Sequence, residues 1–122
     1  MSITQFEEIT EDLTPKELDL LEEVKAAFIW AFSKYPKLKH ESLEFWVNQD
    51  LNERGIQHQV KGVRLRKFIH YFRANTILPI LATSTGYSLS YDKKEIHLQI
   101  QSLEERARSI RAASEGLMKF SF

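Results

Sequence analysis

"VKGVRLRKFIHYFRANTILPILATSTGYSLSYD", residues 60–92, is the stretch whose reading decides the fold. Leu65, Phe68, Ile69 and Phe72 fall at i, i+3, i+4 and i+7, the buried stripe of a helix starting close to Gly62. Arg64, Arg66, Lys67, His70, Tyr71 and Arg73 occupy the remaining surface of that helix, and Asn75 is a reasonable stop. Pro79 leads into "ILAT" and "YSLS", two short runs rich in strand formers, separated by "STG". A three-residue loop ending in Gly86 fits a hairpin in which the glycine takes a positive φ. Tyr87 and Leu89 alternate with Ser88 and Ser90, so Tyr87 reads more as a packing residue than as a contact.

Upstream, Thr14-Pro15-Lys16-Glu17 is a helix start. Threonine caps, proline suits the first turn, and Glu17 completes a reciprocal capping box. Leu21, Val24, Phe28, Ala31, Phe32 and Tyr35 continue at helical spacing until Pro36 ends the helix. "KLKH" is a connector. A second helix begins near Glu41 or Ser42, with Leu43, Trp46, Val47 and Leu51 on one face, and Gly55 ends it. The aromatics Phe28, Trp30, Phe32, Phe45, Trp46, Phe68 and Phe72 follow helical spacing and are expected in the core rather than on a base-stacking platform. Tyr71, among cations, is the exception.

Downstream, Asp92 and Glu95 make another capped start. Ile96, Ile100, Leu103, Ala107, Ile110, Ser114 and Leu117 then step alternately by four and three, the heptad spacing of a coiled-coil seam. Two readings of this seam stand. It packs on the first helix of its own domain, or it pairs with a second subunit. In the second case Ile96, Ile100, Leu103, Ala107, Ile110 and Leu117 are the dimerisation residues.

A chain of 122 residues fits one compact domain, and 43% apolar with 28% charged residues is ordinary for a soluble globular protein. With no cysteine, neither a disulfide framework nor a thiolate metal site is available. His40, His58, His70 and His97 lack metal-ligand spacing, so no metal is expected. "TSTG" lacks the frame of a nucleophile elbow, and no Walker or dinucleotide glycine motif occurs. No catalytic residue and no cofactor are therefore expected, and the chain reads as a non-enzyme. No run approaches the roughly 18 apolar residues of a membrane span. The acidic N-terminus does not have the order of a secretory signal, so the expected compartment is the cytoplasm.

A net charge of zero conceals a strong asymmetry. Residues 1–24 carry eight acids and one base, whereas residues 54–75 carry six bases and no acid. Such segregation is a better pointer to a binding face than the total charge. Residues 1–13 are expected to form an acidic, disordered arm, which could also fold against the basic helix and suppress weak nonspecific binding.

The order helix, helix, helix, hairpin, long helix predicts a mainly α protein with a small β-hairpin (α+β). The expected architecture is a winged helix-turn-helix domain over residues 14–92, followed by a long C-terminal helix over 93–122. In that fold the third helix is the recognition helix and the hairpin is the wing.

The run "GVRLRKFIHYFRANTILPILATSTGYSLSYDKKEI", with "IQSLEERARSI" after it and "LTPKELDLLEEV" before it, resembles a family of small bacteriophage- and prophage-associated winged-helix proteins. Val63 departs from that pattern, because relatives often carry proline after the glycine that starts the recognition helix. The resemblance implies a non-catalytic protein that binds double-stranded DNA, with a transcriptional or replication-accessory role. By motif position Arg64, Arg66, Lys67 and Arg73 match the basic recognition positions, and the wing is matched from Thr83 to Tyr87. Lys61, His70, Tyr71, Ser84 and Thr85 complete the expected DNA-contacting set. Arginine can read guanine edges in the major groove, while lysine and hydroxyl groups hold phosphates. The "STG" tip has no Lys or Arg and is the weakest part of this reading. The rival is a winged-helix interaction module whose basic face docks an acidic partner protein.

Overall fold

A computed structural model describes residues 13–121. The chain is mainly helical with one two-stranded antiparallel hairpin, in two compact units divided after Leu89. The first unit holds α1 (Pro15–Asp19), α2 (Leu21–Lys34), α3 (His40–Glu53), α4 (Val63–Ala74), β1 (Ile80–Thr83) and β2 (Gly86–Leu89). The second is dominated by α5 (Lys93–Met118).

The predicted capping box forms at α1: the Thr14 amide donates to Glu17 Oε1 at 2.8 Å, and the Glu17 amide donates to Thr14 Oγ1 at 3.1 Å. The helix expected to run unbroken to Tyr35 is interrupted at Leu20 (φ −98°, ψ 10°) and divides into α1 and α2. Leu13, assigned from sequence to the arm, is buried in the core. The rest of that arm, residues 1–12, lies outside the described residues.

The core follows the helical stripes. Val24, Ala27, Phe28 and Ala31 from α2 meet Leu43, Val47 and Leu51 from α3 and Leu65, Phe68, Ile69 and Phe72 from α4. Phe28 meets Phe72 edge-on, with ring centroids 5.2 Å apart. Phe45 corrects the aromatic expectation: it is 58% exposed. Two residues past Leu43 on a helix is a rotation of about 200°, which turns Phe45 away from the buried stripe.

α4 ends in a Schellman arrangement. The Ile77 amide donates to the Phe72 carbonyl (2.8 Å) and the Thr76 amide to the Arg73 carbonyl (3.2 Å). Asn75 is the cap, but the left-handed residue is Thr76, at φ 57°.

In the hairpin, Thr83 faces Gly86 and Ile80 faces Leu89, so the loop is Ser84-Thr85, one residue shorter than expected. Gly86 has φ 133°, and a Cβ there would lie 2.7 Å from the Leu38 carbonyl oxygen. That closeness has a cause unseen in the sequence. Leu38, in the α2–α3 connector, exchanges backbone hydrogen bonds with Tyr87: its amide donates at 2.9 Å and its carbonyl accepts at 2.7 Å. The connector thus adds a one-residue third strand to the hairpin.

Candidate nucleic-acid interface

The loop before α4 is held by two side chains of α3. Asn48 clamps Val60 reciprocally: its amide nitrogen donates to the Val60 carbonyl (3.0 Å) and its oxygen accepts from the Val60 amide (2.8 Å). One turn earlier, Glu44 accepts from the Gly62 amide and lies 2.7 Å from His40 Nε2. Burial pushes the Glu44 carboxyl up, but the Gly62 amide and His40 outweigh it and hold the group below its ordinary range. Gly62 turns at φ 56°, a conformation that glycine adopts without steric cost, and α4 begins at the next residue.

α4 divides its cations by partner. Arg64 is turned inward. Its guanidinium forks onto the carboxylate of Glu17, with Nε donating to Oε2 at 2.9 Å and Nη2 donating to Oε1. Glu17 is 2% exposed. Burial raises its pKa, and the Arg64 hydrogen bonds, the Thr14 amide and the Arg64 charge more than reverse that, so the carboxyl lies below the ordinary range. His58 Nε2 stands 3.9 Å from the same carboxylate. Arg73 also serves the fold, its Nε donating to the Ile80 carbonyl at 2.7 Å and stitching the end of α4 to the start of β1.

Arg66, His70 and Lys61 are exposed and Lys67 is half-buried. Among the described residues no ion pair engages Arg66 or Lys67. Tyr71 is half-buried and packed against the core, as is Tyr87. Ser84 and Thr85 are exposed at the hairpin turn. The tip has a cation that sequence reading missed: Lys37 reaches from the connector and donates to Thr85 Oγ1 at 3.1 Å. Lys39, two residues on, is exposed as well, and the two lysines bracket buried Leu38. This short alternation was the available signal, but three residues are too few to read as a strand.

The six seam residues Ile96, Ile100, Leu103, Ala107, Ile110 and Leu117 all lie on α5, none of whose residues is buried. Among the described residues no cluster of three His, Cys, Asp or Glu could hold a metal, and no helix is long and apolar enough to cross a membrane.

No protein-family model, no curated protein and no solved structure matches the chain.

Proposed function

We propose that residues 14–92 form a winged helix-turn-helix domain of the phage-associated type and that it binds double-stranded DNA without catalysis, in a transcriptional or replication-accessory role. The observation that carries this reading is the cation supply. Arg66, Lys67, His70 and Lys61 come from α4 and its lead-in, and Lys37 stands at Thr85 of the hairpin turn. The third strand contributed by the connector also suits a wing, which needs a fixed base. α4 enters the major groove, Arg66 and Lys67 take base edges or phosphates, and Lys37 with Thr85 meets adjacent backbone.

The test is binding to random duplex as salt is varied. Removing a cation that neutralises one phosphate flattens the log–log slope by about 0.9, so Arg66→Ala or Lys37→Ala reduces it by roughly one unit. Wild-type protein with no salt-sensitive binding to any duplex overturns the reading.

A second reading has an observation of its own. Phe45 and Tyr35, 58% and 47% exposed, lie against Trp46 with ring centroids 5.1 and 5.7 Å away. Exposed aromatic clusters suit protein docking. Capture of one stoichiometric protein partner without any DNA shift favours this alternative.

A further inference from the structure

α5 carries its apolar residues in the open. Ile100 is 46% exposed, Leu103 38%, Ile110 63% and Leu117 70%. In heptad terms Ile100, Ala107 and Ser114 are the a positions, and Ile96, Leu103, Ile110 and Leu117 are the d positions. The two sets differ in size: the a column falls from isoleucine to alanine to serine, while the d column is bulky throughout.

That inequality selects an orientation. In a parallel pair each layer faces its own copy, so Ala107 meets alanine, Ser114 meets serine, and bulky residues meet bulky residues. In an antiparallel pair a faces d. When Ala107 faces Ile110 of a second copy, Ser114 faces Leu103 and Ile100 faces Leu117. Both small residues then receive a large one, the interdigitation that fills a core without voids.

Charge fixes the register. Glu104 and Arg111 flank the seam on one side at the e positions, where an antiparallel pair brings the same flank of both copies together. In the register just described, Glu104 and Arg111 of opposite copies lie between the same two layers, twice by symmetry. Sliding by one heptad, so that Ala107 faces Leu103, sets Glu104 against Glu104 and Arg106 against Arg106. Size and charge agree on one arrangement.

The geometry points to a second copy of this chain as the occupant of the α5 seam, paired antiparallel and centred between Ala107 and Ile110. This does not depend on the DNA reading. Because the chain has no cysteine, single cysteines report the pairing cleanly. Full-length Ile100→Cys and Leu117→Cys, mixed and oxidised, form a mixed disulfide, and Ile100→Cys alone does not cross-link. Its two copies stand about 25 Å apart, 17 residues at 1.5 Å each, far beyond disulfide reach. Glu104→Arg weakens dimerisation about tenfold, and adding Arg111→Glu restores it. Sedimentation equilibrium showing only monomer up to the solubility limit overturns the proposal. So does self-cross-linking of Ile100→Cys, which signals a parallel pair, or a dimer in which the mixture fails to cross-link.

Discussion

α4 and α5 are both amphipathic helices written in the same alphabet, yet they have opposite fates. α4 buries Leu65, Phe68, Ile69 and Phe72 almost completely, while α5 buries nothing. The apolar residues of α4 are matched within the first unit by α2 and α3. Those of α5 are spaced as regularly but are exposed at 38% or more at Ile100, Leu103, Ile110 and Leu117. Periodicity therefore reports that a helix has an apolar face, and not what covers it.

The sharpest way to break this contrast is truncation on the two faces. Phe72→Ala should cost roughly 3–5 kcal/mol, the usual loss for a buried phenylalanine in a packed core. Ile110→Ala should leave the denaturant midpoint of the first unit unmoved. Equal losses in a urea titration would mean that α5 is part of the same cooperative core.

Within α4 the same contrast recurs between neighbours. Arg64→Ala strands the buried Glu17 carboxylate and should destabilise by about 3 kcal/mol, whereas Arg66→Ala, on the exposed side, should leave the thermal midpoint unchanged. Arg64→Met with Glu17→Leu should recover only part of that loss: no buried charge is left unpaired, but the Thr14 amide loses its Glu17 acceptor.

The smallest effect is with pH. Glu17 and Glu44 both titrate below their ordinary range in the folded chain. Their stabilisation is then complete above the unfolded value of about 4.3 and is lost as pH falls through the lower folded values. Glu17→Gln should flatten the acid limb of stability against pH. A wild-type limb unchanged by that substitution would show that the carboxylate contributes nothing through its charge.

Much of the fold was legible because its determinants are local. The Thr14–Glu17 box and the Asp92 cap, which accepts from the Lys94 amide at 2.8 Å, are within three residues of their partners. The stripe of α4 and the existence of the hairpin follow from local pattern, although the pairing is shifted by one residue from the three-residue loop expected. Three features were not legible, and each joins residues more than 45 apart in sequence. These are Arg64 on Glu17, Leu38 on Tyr87 and Lys37 on Thr85. Sequence alone places Arg64 at the interface because nothing nearby along the chain can neutralise it. Its partner sits in α1, where the glutamate is already engaged as a cap. Oε1 of that carboxylate accepts from both the Thr14 amide and Arg64 Nη2, and Oε2 accepts from Arg64 Nε, so one side chain serves the cap and the guanidinium together.

The one-residue strand at Leu38 has a consequence for what the connector tolerates. Strand side chains alternate with a period of two, so a single residue inserted between Pro36 and Lys37 exchanges the two faces of "KLK". Leu38, now 4% exposed, would turn outward, and an ammonium group would be driven into the core in its place. Lys37 would at the same time leave the hairpin tip. Substitutions along these residues can be graded in effect, but a change of length by one cannot. The connector's length is therefore the quantity the fold counts, and any chain that keeps this hairpin base should vary there in composition while holding the number of residues fixed.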